Sequence, residues 1–470
     1  MIKSRLLIQS TALIALLLFS TVSCKIGKNY TQPEIDAPEL FRFAEEDSTA
    51  NSALKWWDIF DDPVLDSLIY YALDHNRELQ IAVHNIEQAR YGLSIQKAEM
   101  LPKINAQGQA QRGNFIQGPS ENVDNMFVLA GQATWELDFW GKYRRLNEAS
   151  RAQYLASEYG LQSLQISVIS TVATTYFNLL EHRERLEIAK STLNLRDSSL
   201  NLIQQRFNAG IIPEIDLNHA QIQRAIAAKS IPQFERFAAQ AENALSVLIG
   251  KNPQNIINNN ELENISIIPE IPAGLPSELL ERRPDILIAE QELVMQNAMV
   301  GVAQANRLPS FSLTGMFGAV SNDLSSLTSN DPAWNIGGSI LGPLFHWNQN
   351  ANRVKIEKSK REAIILNYEN VALNAFREVE DALVEIETLK DEQLATQDHV
   401  NAALSAEKLS ADRYDKGIAS YIEYLESQRQ AFEAQISLVG VRQQLLSAYI
   451  KLYKVLGGGW ATQSEMASQE

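Results

Sequence analysis

Four segments of the chain alternate strictly between apolar and polar positions, and they fall into two pairs. Over 103–113, Lys103, Asn105, Gln107, Gln109 and Gln111 share one face, while Ile104, Ala106, Gly108 and Ala110 share the other. Over 127–139, Phe127, Leu129, Gly131, Ala133, Trp135, Leu137 and Phe139 oppose Gln132, Thr134, Glu136 and Asp138. The second pair covers 310–320 and 334–344. It sets Phe311, Leu313, Gly315 and Phe317 against Ser310, Ser312 and Thr314, and Trp334, Ile336, Gly338 and Ile340 against Asn335, Gly337 and Ser339. Period-two alternation predicts strands with unlike environments on their two faces. A length of about ten residues with aromatics near the ends suits strands that cross a bilayer. A half-exposed sheet in a water-soluble domain carries the same alternation. The leader described below, and the Gly, Ala and aromatic content of the apolar face, favour the membrane. The polar stretches 114–126 and 321–333 would close each pair as a hairpin.

Four strands cannot close a barrel, and open sheet edges are not tolerated in lipid, so copies of the chain must share one. Three copies give twelve strands and two give eight; strand count alone does not choose between them. Around the strands the period becomes helical. Helices are predicted over 62–100, where Leu79, Ile86 and Leu93 are spaced by seven, and over 141–206, 215–250, 285–307, 348–413 and 421–457. The two longest contain no proline, and at 1.5 Å per residue each would reach about 100 Å. In the last helix Leu425, Phe432, Val439, Leu446 and Tyr453 recur every seven residues, the spacing of a left-handed coiled coil.

These elements occur twice. Leu101-Pro102 returns as Leu308-Pro309, Trp140 as Trp347, Arg206–Ile211 as Arg413–Ile418, and Gln221 as Gln428, each 207 positions later. The chain therefore reads as two copies of one unit. Repeat 1 covers 61–250 and repeat 2 covers 285–457. A leader occupies 1–23, an N-terminal segment 24–60, a linker 251–284 and a tail 458–470.

Composition narrows the function. The 470 residues carry a net charge of -16, with 45% hydrophobic and 21% charged residues, and a mean hydropathy of -0.19. An acidic chain without basic clusters is a poor nucleic-acid ligand. Cys24 is the single cysteine, so no intrachain disulfide forms. The six histidines are scattered, with no pair at the i, i+4 spacing of metal ligands. No Gly-rich phosphate loop, nucleophile elbow or metal cluster is present. The expectation is a protein that is not an enzyme and holds no cofactor and no metal. Lys3 and Arg5 precede an apolar run from Leu6 to Phe19 and small residues Ser20 to Ser23. That order describes a secretory signal, and the run is too short to span a membrane as a helix. Thr21-Val22-Ser23-Cys24 is similar to a bacterial lipobox, with Thr21 where Leu is usual, and makes Cys24 the candidate lipidated residue.

Longer matches identify a family resemblance. They are Gly27-Lys28-Asn29-Tyr30 with Pro33, Trp56-Trp57-Asp58-Ile59-Phe60-Asp61-Asp62-Pro63-Val64-Leu65, Leu137-Asp138-Phe139-Trp140-Gly141-Lys142, and the ungapped run from Gly274 to Ile286 that contains Glu281-Arg282-Arg283-Pro284-Asp285. On these residues the chain resembles the TolC/OprM-like outer membrane factors, in the lipoprotein (NodT-type) branch of tripartite efflux systems with RND-type pumps. It departs from them at Lys28, where proline is frequent, and at His346-Trp347-Asn348, where an acidic residue and glycines are usual. The resemblance implies a membrane β-barrel plus an α-helical barrel. It implies a homotrimer with four strands per protomer in a shared twelve-stranded barrel, long coiled periplasmic helices and an equatorial belt. Outer-membrane lipid, a periplasmic adaptor (membrane fusion) protein and an inner-membrane RND-type pump would be the partners.

It also implies where function resides. The two turns that end the long helices become periplasmic tips that contact the adaptor: Arg206, Gly210 and Ile211, and Arg413, Gly417 and Ile418. Helix C-termini favour a left-handed glycine whether or not a partner docks there. Glu423 and Glu426, at i, i+3, match acidic rings of the closed periplasmic gate; a plain solvated helix face has the same look. Crowding of six such carboxylates in a trimer would raise some of their pKa values and draw in cations. Tyr414 matches a closing aromatic, and Asp216, with Glu214, lies at the corresponding depth of repeat 1. Ala419 stands where a basic latch residue is familiar. The implied function is a passive exit duct for drugs or other small toxic compounds. Type I protein secretion and metal-ion efflux are alternatives within the fold, and a non-conducting periplasmic scaffold is the alternative outside it.

Overall fold

The computed structural model describes residues 25–43, 60–114, 123–256, 262, 265, 276–327, 329 and 331–458. The candidate lipidation residue Cys24, the leader and Trp56–Ile59 lie outside the described residues. The elements follow in chain order as α1 (Pro63–His75), α2 (Arg77–Ala98), β1 (Lys103–Gly113), β2 (Asp124–Leu137), α3 (Lys142–Asn208), α4 (Glu214–Leu248), α5 (Pro276–Arg282), α6 (Pro284–Ala305), β3 (Ser310–Ser321), β4 (Ala333–Leu341), α7 (Gln349–Asp415) and α8 (Tyr421–Val455). Starts of equivalent elements are displaced by 207: 77 and 284, 103 and 310, 142 and 349, 214 and 421. The helices α3 and α7 each have 67 residues, and α4 and α8 each have 35.

The chain divides into two compact units. The first comprises the described residues within 1–35, 84–159 and 288–370. Its centre is a four-stranded antiparallel sheet in the order β1-β2-β3-β4, so the two hairpins join along β2 and β3. At that seam a Cβ on Gly318 would overlap the Leu129 carbonyl and Ala130, which leaves only glycine room there. The register sorts the alternating residues. Ile104 pairs with Ala133 and Gly108 with Leu129; Gly131 pairs with Phe317 and Trp135 with Leu313; Gly315 pairs with Ile336 and Phe317 with Trp334. Paired residues share a face, so every apolar set lies on one side of the sheet. Gln132, paired with Asn105, and Thr134, paired with Thr314, lie on the other.

Three strand ends differ from the alternation: β2 starts at Asp124, where Asp124, Asn125 and Met126 of the expected loop pair with Gly113, Arg112 and Gln111. The alternation predicts a strand through Phe139, yet β2 stops at Leu137. Asp138 leaves the strand because its carboxylate accepts from the backbone N–H of Tyr143 and Arg144, both at 2.9 Å, capping α3. The span 334–344 ends instead at Leu341, just before Pro343, which has no N–H to give to a ladder. Gly141 turns the chain into α3 with φ +78, and its repeat counterpart Asn348 does so into α7 with φ +63. Asparagine tolerates this left-handed conformation, so the departure at 346–348 keeps the turn. In the same unit the fully buried Arg145 fastens the N-terminal strap. Its guanidinium donates to the carbonyls of Ile26 (3.1 Å), Gly27 (2.7 Å) and Lys28 (3.1 Å) and to Glu148 (2.9 Å).

The second unit comprises the described residues within 36–83, 160–287 and 371–470 and is built from helices. Val172, Ala173, Tyr176, Phe177 and Leu179 of α3 are completely buried in it. Asp62 caps α1 by accepting from Val64 N–H at 2.9 Å, and Tyr176 donates its hydroxyl to the same carboxylate. The single helix expected over 62–100 is divided at Asn76, whose backbone is extended (ψ 128°). Asn76 ends α1 and starts α2, accepting from Glu78 N–H (2.9 Å) and Leu79 N–H (3.2 Å) while its amide donates to the Leu248 carbonyl (2.8 Å). Arg283 ties this unit together, donating to the Val455 carbonyl (3.0 Å), Glu378 (2.8 Å) and Asp285 (2.6 Å).

Candidate functional site

The tips form where α3 and α7 end. Ile211 N–H donates to the Arg206 carbonyl at 2.9 Å and Gly210 N–H to the Phe207 carbonyl at 2.8 Å. Ile418 and Gly417 repeat the pattern onto Arg413 (2.9 Å) and Tyr414 (3.0 Å). This paired closure is a Schellman motif, and it needs a left-handed residue at its centre. Gly210 (φ +73) and Gly417 (φ +72) supply it. Ile211 and Ile418 are left 71% and 66% exposed. Two aliphatic side chains standing in solvent offer an apolar contact surface at the turns.

Behind the turns lies a small core of Ile203, Leu217, Ala220, Tyr414 and Tyr421, flanked by Phe207, Tyr424 and Leu425. The fold brings together two residues assigned separately from sequence. The Arg206 guanidinium lies 4.7 Å over the Tyr414 ring, and its Nη2 is 3.6 Å from Asp415, so one tip grips the other. Tyr414 packs at 5.4 Å on Tyr421 and stacks at 6.1 Å with Tyr424. Burial pushes the Tyr421 hydroxyl far above its usual range, with Tyr414, Tyr424 and the Asp216 charge adding to it. Asp216 therefore belongs to this neighbourhood, next to Leu217 in the first turn of α4.

Ser420 caps α8 by accepting from Glu423 N–H at 3.3 Å, which aims the first acidic turn. Glu423 then lies 3.0 Å from Arg413 Nε. Glu426 receives Arg429 Nη2 at 2.6 Å and Nε at 3.0 Å. In the protomer, hydrogen bonds from Arg429 and Gln430 hold the Glu426 carboxyl down at about 2. Within one protomer each of the two acids has an arginine partner.

A model of the outer membrane efflux protein family matches residues 68–251 and again 275–458. The chain belongs to that family. Both ends of the second match lie 207 positions beyond those of the first. Among efflux relatives, the probable efflux pump outer membrane protein TtgC of Pseudomonas putida is 31% identical over 97% of each chain. The cation efflux system protein CusC of Escherichia coli is 31% identical over 93% of this chain and 96% of its own. The solved CmeC outer membrane channel of Campylobacter jejuni is similar with a TM-score of 0.87 at 27% identity, over 95% of this chain and 97% of that one.

Several residues of this efflux family member escaped the sequence reading. Tyr421 and Tyr424 complete the aromatic cluster; their i, i+3 spacing after a capping serine was a usable signal. Arg429 and Glu433 stand at i+3 and i+7 from Glu426 and were also legible as a charge row. Arg196 gave no signal. It is buried to 2% exposure, donates to the Gln223 carbonyl and lies 5.2 Å over the Phe432 ring.

Proposed function

We propose that the chain assembles as a homotrimer into the outer-membrane exit duct of a tripartite efflux pump. In this reading it is anchored by a lipid on Cys24 and joined at its tips by a periplasmic adaptor and an inner-membrane RND-type pump. The observation that carries it is the sheet. Its apolar face is exposed in the protomer, with Ile104 and Ile336 at 80%, Trp334 at 71%, Ile340 at 70% and Phe317 at 64%. Among the described residues, the outer strands β1 and β4 each present an unpaired edge. Water disfavours such a face and lipid disfavours such edges, so a closed barrel in a bilayer satisfies both. Three copies supply twelve strands, with the polar face of Gln, Asn, Ser and Thr lining the lumen.

The long helices α3 and α7 continue the duct into the periplasm, and the tip core with Glu423, Glu426, Tyr414 and Asp216 forms its gate. Ile211 and Ile418 are the adaptor contacts. Relatives named for efflux pumps favour small toxic compounds as cargo, and the cation efflux relative keeps metal ions as a second substrate class. Purified protein in planar bilayers tests the duct: stepwise conductance is expected, rising when Glu423 and Glu426 are both replaced by Ala. Silence of both proteins would point to a non-conducting scaffold.

A further inference from the structure

The acidic row that opens α8 is not a row of bare charges. The Arg429 fork takes Glu426 through Nη2 (2.6 Å) and Nε (3.0 Å), and its Nη1 donates to both carboxylate oxygens of Glu433, at 2.8 and 2.7 Å. Gln430 adds a further donor to Glu426 at 3.0 Å. From the last turn of α7, Arg413 Nε meets Glu423 at 3.0 Å. All five charged side chains are about half exposed, between 41% and 58%, so ions in solution reach them. Three carboxylates against two guanidiniums leave a single net negative charge per protomer along this stretch.

The choice of arginine matters. A guanidinium stays charged at any working pH, and its planar fork matches a carboxylate edge, so it competes for the same lone pairs that a passing cation needs. Its position also matters. On one helix face residue 429 follows 426 by three and precedes 433 by four, the two spacings at which side chains meet. One guanidinium therefore engages two acids at once.

We propose that Arg429 is the specificity-determining residue of the acidic aperture: shared between Glu426 and Glu433, it withholds both carboxylates from permeating cations. The duct then shows a weak cation preference where the acids alone would set a strong one. This rests on the placement of Glu423 and Glu426 at the periplasmic aperture, and the experiment separates the two ideas. Reversal potentials in a KCl gradient, and block by La³⁺ added on the tip side, are measured for the parental trimer, R429Q, R429K and the double variant E423Q/E426Q. R429Q is expected to raise the K⁺ over Cl⁻ permeability ratio about threefold and to lower the blocking La³⁺ concentration about tenfold. R429K keeps the charge but loses the fork and is expected to fall between R429Q and the parent, which also guards against misfolding of R429Q. If E423Q/E426Q shifts both readouts while R429Q and R429K match the parent, the aperture stands and the role of Arg429 is overturned. If none of the variants shifts either readout, the aperture assignment fails and this proposal fails with it.

Discussion

At Gly417 the restriction is backbone geometry and not space. Its φ is +72, and among the described residues no heavy atom beyond its own chain neighbours lies within 4 Å of where a Cβ would stand. Gly417→Ala is therefore expected to cost about 1–2 kcal/mol, the price of placing an L-residue in the left-handed region. The loss should be local: amide exchange at Ile418, whose N–H closes the turn on Arg413, should accelerate in the variant and less so in Gly417→Asn. Glu426 yields a second expectation. Its carboxyl is depressed to about 2 by Arg429 and Gln430, so its ionised, clamped form is present above that value and is lost only as pH falls through it. Reversal potentials should thus be unchanged by Glu426 between pH 7 and pH 4. In Arg429→Gln the carboxyl returns towards the ordinary glutamate range, and cation preference should fall over that interval; a parental channel that titrates there would contradict the clamp. The resemblance names the acidic positions, whereas which guanidinium engages them depends on side-chain rotamers that a sequence does not carry. The glycines were legible for the opposite reason, since a left-handed turn leaves few residue choices.

Among the elements, the strands were readable because a sheet with unlike faces writes its environment into a period of two. Their ends differ: Asp138 caps α3, Pro343 stops β4, and β2 begins at Asp124 because its ladder with β1 runs on through polar residues that carry no alternation. The break at Asn76 was hidden, since Leu65, Ala72 and Leu79 keep the spacing of seven across it into Ile86 and Leu93. The departure from the family pattern at His346-Trp347-Asn348 leaves the turn intact, because Asn348 takes the left-handed conformation that Gly141 takes 207 positions earlier. The face assignment leads to a test on neighbouring residues of β4. Ile336→Lys places a charge on the proposed lipid side and is expected to cost about 2–4 kcal/mol in folding into a bilayer. Asn335→Lys, on the opposite face, should fold as the parent does. Urea titration of vesicle-inserted protein, followed by tryptophan fluorescence, compares the two; equal midpoints would remove the lipid from that face.

At the scale of the whole molecule, duplication explains why a single chain presents the same tip twice, and why the family match falls in two segments 207 positions apart. Assembly was the part that one sequence could not decide, because four strands are compatible with two or three copies. The helices carry a physical trace of it. On α7 the side chains of Leu373, Leu394 and Leu409 are 60%, 69% and 59% exposed in the protomer, and the first two stand three heptads apart. A helix facing only water has no use for large aliphatic residues at that spacing, whereas a neighbouring copy would cover them, each leucine contributing about 1.5–3 kcal/mol when fully buried. In the proposed trimer the effect of one substitution is felt at three interfaces. Leu394→Glu is therefore expected to shift purified protein from trimer towards monomer in light scattering, with far-ultraviolet helicity unchanged. Glu392→Gln, exposed on the same turn, should leave the trimer intact. A Leu394→Glu protein that keeps the trimeric mass at the lowest concentrations measured would show that this leucine row faces something other than a second copy.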